Sequence, residues 1–343
     1  MMDIEKLVRE NIRRLTPYSS ARDDYKGKPG VFLDANENPY GTLNRYPDPY
    51  QQELRSAVAR QKGVDNKCLF IGNGSDEIID LTLRIFGNPG TDKVMIFPPT
   101  YGMYEVSANI NDLGIVRVPL NENFQINVTE AEKHFSDSSI KVMFICSPNN
   151  PTGNCMHPEN IEYLVSQFRG IVLLDEAYSD FSDKPSFIRK TERYPNLVVM
   201  QTFSKAMGLA AARIGMAFAD PAIIRYFNKV KPPYNVSGIN QKAALSKIAE
   251  GISFRDQVKE IIRERERMAG EIRKLPLTRK VFPSDANFLL VKVTDADMIY
   301  EKLVNNDIIV RNRSSVVENC LRITIGTPNE NDLLLEALKS ISV

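Results

Sequence analysis

The stretch QTFSKAMGLAAARIG, residues 201–215, decides the fold and most of the chemistry. A single lysine, Lys205, follows an apolar run and precedes a series of glycines and alanines. An amine in a tight, partly desolvated pocket has a lowered pKa and can form a Schiff base with a carbonyl. The small residues let a flat ring approach the backbone, while Thr202, Ser204 and Arg213 can reach one phosphate. The stretch therefore predicts a reactive lysine beside an anion site.

Composition narrows the class of protein. The chain has 343 residues, 43% hydrophobic and 25% charged, with a net charge of +1. This predicts a globular protein of one large domain or two ordinary ones, and it argues against nucleic acid or a membrane surface as partner. The charged N-terminus does not resemble a secretory signal, and no apolar run approaches the roughly 18 residues of a spanning helix. Four scattered cysteines predict reduced thiols and a cytoplasmic location.

Histidine is scarce, which excludes several kinds of active site. His134 and His157 both lie beside turn-forming residues and are expected in surface loops. Cys155 and His157 lack further nearby ligands, so no metal site is predicted. Nucleophilic schemes that pair serine or cysteine with histidine have poor candidates. An enzyme with this sequence is expected to rely on an organic cofactor.

The order of elements predicts an α/β fold. Short apolar runs alternate with helical patterns, which is typical of a mostly parallel sheet with helices on both faces. The strand candidates are residues 94–97, 115–120, 141–146, 171–176, 197–201 and 214–219, and the helix candidates include 75–86, 101–112 and 158–168. A long charged helical pattern at 240–275 is expected to bridge two domains, and residues 287–341 are expected to form a small α/β unit.

Three further stretches carry candidate site residues. In GNGSDEIIDL, residues 72–81, Ser75 and Asp76 open an amphipathic helix, which is either an ordinary capped helix or an anion site. CSPNNPTGN, residues 146–154, places Asn150 in a tight loop directly after a strand. LLDEAY ends a strand with Asp175, whose charge requires either a salt bridge or a protonated ring nitrogen of a cofactor. A Schiff-base lysine, an acidic ring partner and a phosphate site together predict pyridoxal phosphate (PLP).

These motifs resemble those of the class I/II aminotransferases, which are PLP enzymes of fold type I. The resemblance covers essentially the whole chain, through NENPYG, GNGSDE, PPTYGMY, SPNNPTG, LLDEAY, TFSKA, ARIG and LRITIG in the family's order. It implies a large domain with a mostly parallel sheet sandwiched by helices and a smaller α/β C-terminal domain. The implied boundaries are 1–40 for an N-terminal arm packing with the small domain, 41–238 for the PLP-binding domain, and 239–343 for an interdomain helix and the small domain.

The resemblance also implies residue roles. Lys205 would bind PLP as a Schiff base and move the proton at the substrate's Cα, and Asp175 would pair with the pyridinium nitrogen. Asn150 and Tyr178 would bond the ring's phenolic oxygen, and Tyr101 would stack on the ring. The phosphate would be held through backbone or side chain by Ser75, Asp76, Thr202, Ser204 and Arg213.

Other stretches, such as LTPYSSAR, LDANENPYG, NRYPDPY and IIVRNR, resemble those of the histidinol-phosphate aminotransferases. This resemblance implies a homodimer, with Tyr46 reaching the partner's PLP phosphate. Arg322 would clamp a carboxylate, and Tyr18, Asn36 and Arg311 would face the substrate. The implied substrates are a small phosphorylated amine and glutamate or 2-oxoglutarate.

Other functions remain open from the sequence. An aromatic amino-acid aminotransferase and a threonine-phosphate decarboxylase share the fold and the cofactor. A PLP-binding regulatory protein is the alternative from a different class. Such proteins usually carry a fused DNA-binding region, and the sequence has neither the N-terminal room nor the basic patch for one.

Overall fold

The computed structural model describes residues 3–19 and 30–341. Within this part, seven strands form one sheet in the order β1-β7-β6-β5-β4-β2-β3. The strands are β1 Leu69–Asn73, β2 Lys93–Ile96, β3 Gly114–Arg117, β4 Ile140–Cys146, β5 Ile171–Asp175, β6 Leu197–Thr202 and β7 Ile214–Phe218. Strand β7 runs antiparallel to both neighbours, and the other pairs are parallel. The mostly parallel sheet predicted from the sequence is confirmed. Strand β1 was not among the predicted strands, because Gly72 within it and Gly74 directly after it resemble a turn.

Both faces of this sheet are buried. Along β5, Val172 and Leu174 belong to one apolar core, whereas Ile171 and Leu173 belong to another on the opposite face. Alternate side chains of a strand point to opposite faces, so a strand covered on both sides must be apolar throughout. This is why the central strands are continuous apolar runs in the sequence.

Helices cover the two faces of the large sheet. They are α1 Glu10–Arg14, α2 Gln52–Lys62, α3 Gly74–Phe86, α4 Met103–Ile110, α5 Val128–Glu132, α6 Pro158–Gln167 and α7 Pro221–Val230. Helices α3, α4 and α7 pack on one face, and α2 and α6 pack on the other. The three helices predicted between the strands are confirmed by α3, α4 and α6.

The long charged pattern forms two helices rather than one. Helix α8 spans Gly238–Ala249 and helix α9 spans Ile252–Arg273. Gly251 lies between them with φ +57°, a backbone conformation that suits glycine and interrupts the helix. Helix α9 places Phe254 in a core of the large sheet and Met268 in the core of the C-terminal unit. It therefore connects the two cores, as the sequence pattern predicted.

The C-terminal unit has its own four-stranded sheet, in the order β10-β11-β9-β8. The strands are β8 Thr278–Val281, β9 Phe288–Val293, β10 Arg311–Asn312 and β11 Cys320–Thr324, and the helices are α10 Ala296–Val304 and α11 Pro328–Ser340. All strand pairs are antiparallel. The predicted small domain is present, and its sheet is antiparallel.

The N-terminal arm requires a correction. Over residues 3–14 it packs with the large sheet and not with the small domain: Ile4, Val8 and Ile12 lie in a core with α3 and α7. The Tyr226 hydroxyl of α7 donates a hydrogen bond to the Glu5 carboxylate. The apolar residues of the arm, four positions apart, need an apolar surface, and the large unit provides it. Residues 20–29 of the predicted arm lie outside the described residues.

Within the described ranges, no helix combines the length and apolar character needed to cross a bilayer.

Candidate active site

A cavity of about 260 Å³ opens where the parallel strands β4, β5 and β6 end. Open α/β sheets bind ligands at this edge. Most of the predicted site residues line it, namely Ser75, Asp76, Tyr101, Asn150, Asp175, Tyr178, Thr202, Ser204, Lys205, Arg213 and Arg322. The topology explains most of this, because β1, β4, β5 and β6 end at one edge of the large sheet, where β7 begins. Arg322 comes from β11 of the C-terminal unit.

The carboxylate of Asp175 is held rigidly at the end of β5. Its Oδ2 accepts a hydrogen bond from the Tyr104 hydroxyl at 2.6 Å, and its Oδ1 accepts one from the Ala177 backbone at 2.9 Å. Burial raises the pKa of Asp175 to about 6, and these two bonds oppose the shift. The site thus contains a buried acidic group whose charged form a positive partner would stabilise.

Lys205 lies in the loop after β6, beside the same cavity. Its Nζ lies 5.6 Å from the centroid of the Tyr178 ring. Burial lowers the pKa of Lys205, and the positive charge of Arg322 lowers it further. The neutral amine, which is the nucleophilic form, is therefore favoured relative to an exposed lysine.

An anion cradle forms at the start of helix α3. A Cβ at position 215 would lie 2.5 Å from the Ser75 backbone nitrogen, so only glycine allows β7 to approach this closely. Arg213 has φ +49° and directs its Nη2 to Asp76 Oδ2 at 3.1 Å. Its Nη1 lies 3.5 Å from the Ser204 hydroxyl. Backbone N–H groups, a guanidinium and hydroxyls thus converge at the positive end of a helix.

Three predicted residues form a chain across the cavity. Arg322 of β11 donates from Nη1 to Asn150 Oδ1 at 2.6 Å, and Asn150 Nδ2 lies 3.4 Å from the Tyr178 hydroxyl. The guanidinium of Arg322 also lies 5.4 Å from the centroid of the Phe288 ring. Burial raises the pKa of Tyr178, so its hydroxyl keeps its proton at neutral pH. The small unit therefore contributes a cation to a site built on the large sheet.

Four predicted residues lie outside this cavity within one chain. Tyr46 stacks on Tyr234 at 4.4 Å and, with Asn36, lines a pocket of about 470 Å³. Tyr18 lines a separate pocket of about 480 Å³ beside α7. Arg311 lines a third pocket, of about 520 Å³, to which Arg322 also contributes. The sequence-based roles of these residues remain predictions.

Two buried residues of the site were not predicted. Tyr104 donates to Asp175, and Cys146 lines the cavity opposite Asp175, its pairing partner in the sheet. Burial raises the pKa of Cys146, so its thiol is protonated. A signal for Tyr104 exists in PPTYGMY, where the second tyrosine follows the cavity residue Tyr101 by three positions, close to one helical turn.

The sequence model of the aminotransferase class I and II family matches residues 24–338. The chain belongs to this family. It is 50% identical over 346 aligned residues to a histidinol-phosphate aminotransferase of Parabacteroides distasonis, and the alignment covers 100% of both chains.

Solved structures agree on the fold. The histidinol-phosphate aminotransferase from Clostridium acetobutylicum matches with a TM-score of 0.79 at 24% identity, covering 87% of this chain and 90% of that one. The histidinol-phosphate aminotransferase from Sinorhizobium meliloti, in complex with pyridoxal-5′-phosphate, matches with a TM-score of 0.79 at 23% identity and 89% coverage of each chain. The predicted fold-type-I architecture is confirmed.

Proposed function

We propose that this chain is a PLP-dependent histidinol-phosphate aminotransferase of histidine biosynthesis. It would convert L-histidinol phosphate and 2-oxoglutarate into imidazole acetol phosphate and L-glutamate. The observation that carries the proposal is the cavity in which Lys205, Asp175 and the cradle around Arg213 converge. The relative from Parabacteroides distasonis, identical at half of the aligned positions over the full chain, supports the choice of substrate.

The residues of the cavity fit PLP. Lys205 would hold the aldehyde carbon, and the buried Asp175 would face the ring nitrogen. The cradle of Ser75, Thr202, Ser204 and Arg213 would hold the phosphate, with Asp76 acting through its backbone and by orienting Arg213. Tyr101 would cover the ring, and Asn150 and Tyr178 would bond its phenolic oxygen. When bound, PLP supplies a carbonyl for amines and a ring that withdraws electrons from the substrate's Cα.

The chain's own groups would then perform proton transfer and orientation. The amine of Lys205, with its lowered pKa, is suited to take the proton from the substrate's Cα and to deliver it to C4′ of the cofactor. Asp175 would face the ring nitrogen as a carboxylate, because its two hydrogen bonds favour the charged form. The buried Tyr178 and Cys146 line the cavity and limit the access of water.

Glutamate carries an α-carboxylate that histidinol phosphate lacks, so one site must serve both substrates. We infer that Arg322 binds the α-carboxylate of glutamate, since it lines both the Lys205 cavity and the neighbouring pocket. Arg311 lines that neighbouring pocket and would bind the distal anion of either substrate. Tyr18 lines a different pocket within the chain. A guanidinium fork suits both carboxylate and phosphate.

We also propose a homodimer. The exposed apolar residues Val31, Leu33 and Leu43 lie in the same part of the chain as Tyr46, and Ile239 adds to them across the Tyr46 pocket. Exposed apolar clusters mark interaction surfaces. A second copy that covered this surface would bring Tyr46 to the other chain's cradle. The four free thiols support a reducing, cytoplasmic location.

A spectral titration tests the function. The purified protein is loaded with PLP, and its visible absorption is followed during addition of L-histidinol phosphate. We expect the band to disappear at low ligand concentration and to return with 2-oxoglutarate. A band that responds only to phenylalanine or tyrosine would instead assign the protein as an aromatic aminotransferase. Release of carbon dioxide from threonine phosphate, without an oxoacid acceptor, would assign it as a decarboxylase.

A further inference from the structure

Three arginines share one face of the small sheet. Arg311 and Arg322 are directly opposite each other in the β10–β11 ladder. The Arg313 backbone continues this ladder by donating to the Cys320 carbonyl at 2.8 Å. Because alternate residues of a strand share a face, Arg313 lies on the same face as Arg311 and Arg322. Leu321, between Cys320 and Arg322 on β11, belongs to the core on the other face.

This arrangement leaves positive charge uncompensated. Like charges directly opposite each other across a ladder are destabilising. Among residues 3–19 and 30–341, other arginines and lysines form ion pairs with carboxylates, but these three arginines form none. The Nε atoms of Arg313 and Arg322 and the Ser314 hydroxyl are buried without a hydrogen-bond partner among the described residues.

The pKa of Arg313 agrees with this geometry. Burial lowers it, and the positive charges of Arg322 and then Arg311 lower it further. All three effects disfavour the guanidinium cation, so an anion bound between these side chains would relieve them. Buried donors without a partner call for an explanation, and a bound anion would supply one.

We propose that Arg313 is a second guanidinium of the substrate's phosphate site, beside Arg311, and that it makes the enzyme select phosphate-bearing amines over substrates that end in a carboxylate. The inference rests on the proposed function and assigns its specificity. A phosphate near neutral pH carries up to two negative charges and three acceptor oxygens, and it can engage two guanidinium forks. The distal carboxylate of glutamate has one charge and is satisfied by one fork.

The test is the variant Arg313→Met, which keeps the apolar stem and removes the charge. Lys292→Met is its matched control. Lys292, on β9, pairs with Cys320 from the opposite side of β11 to Arg313, and it lies on the same face of the sheet. Apparent affinities for L-histidinol phosphate and for glutamate are measured separately, from each half-reaction of the PLP-loaded protein. We expect Arg313→Met to lower the apparent affinity for histidinol phosphate at least about tenfold and that for glutamate less than about threefold. Arg313→Lys should recover part of the loss, with the limiting rate of each half-reaction nearly unchanged.

Equal losses for the two substrates, or a loss no larger than that of Lys292→Met, would overturn the inference. The wild-type titration separates this outcome from a failure of the proposed function. If the absorption band of the wild-type protein does not respond to histidinol phosphate, the proposed function is wrong. If the wild-type protein uses histidinol phosphate and Arg313→Met retains its selectivity, only the role of Arg313 is wrong.

Discussion

The hydroxyl of Tyr104 donates a 2.6 Å hydrogen bond to Oδ2 of Asp175 in the interior of the large unit. Tyr104 is itself fixed, because its ring is fully buried and stacks on Phe144 with centroids 4.7 Å apart. The bond opposes the effect of burial on the pKa of Asp175. Tyr104 therefore positions the acidic group and helps to keep it ionised, without lining the cavity itself.

Removal of this hydroxyl should impair turnover in a pH-dependent way. In Tyr104→Phe, Asp175 loses a hydrogen bond to its charged form, and its pKa rises further. We expect kcat to fall about tenfold, in line with the loss of one bond to a charged group. The acid limb of the pH–rate profile should move to higher pH. Tyr163→Phe is the control, because Tyr163 donates to the Glu132 carboxylate on the surface. Identical pH profiles for wild type and Tyr104→Phe would refute the role.

Asp175 should destabilise the protein when PLP is absent. Its pKa rises from 3.8 when unfolded to about 6 when folded, so the folded apoprotein binds this proton more tightly. That contribution to stability is fully present below pH 4 and is lost as the pH rises through 6. Asp175→Asn should therefore raise the free energy of unfolding at pH 7.5 by up to about 3 kcal/mol and change it little at pH 4. Urea unfolding of both apoproteins at the two pH values provides the measurement. Equal stabilities at pH 7.5 would show that the burial of this charge is compensated elsewhere.

Lys205→Ala should separate cofactor binding from chemistry. The cradle and Asp175 remain in this variant, so PLP should still bind without a covalent bond. Treatment with borohydride should no longer attach PLP to the protein, and turnover should fall by at least about a thousandfold because nucleophile and base are lost together. Lys184→Ala, at an exposed lysine, serves as the control. Retention of a borohydride-fixed cofactor in Lys205→Ala would place the reactive lysine elsewhere.

Hybrid dimers should reveal which chain's cavity Tyr46 serves. Tyr46→Phe and Lys205→Ala are each expected to be weak or inactive at limiting PLP. In a hybrid of the two chains, one cavity would combine an intact Lys205 with the partner's intact Tyr46. We expect each hybrid dimer to have about half of the wild-type activity. A random one-to-one mixture, in which about half of the dimers are hybrids, should therefore regain about a quarter of it. If Tyr46 served the cavity of its own chain, neither site of the hybrid would be complete and mixing would restore nothing.

Much of the fold was predictable because its signals are local. The apolar runs that became β4, β5 and β6 are buried on both faces, and helices α3, α4 and α6 have clear amphipathic patterns. Strand β1 was missed because Gly72 within it and Gly74 directly after it indicate a turn in a sequence. The arm was misplaced because the apolar residues 4, 8 and 12 predict that a surface is needed without identifying which one.

The sequence by itself determined the candidate reactive groups, because the lysine, the acidic strand end and the glycine-opened helix each have a chemical character that their neighbours reveal. Only the tertiary structure decided which residues act on those groups. Tyr104 reaches Asp175 across 71 positions, and Arg322 reaches Asn150 across 172. The pairing of Arg311 with Arg322 depends on the register of two short strands. Such contacts follow from the packing of distant elements, and burial then sets the pKa values of the site, so no local pattern contains them.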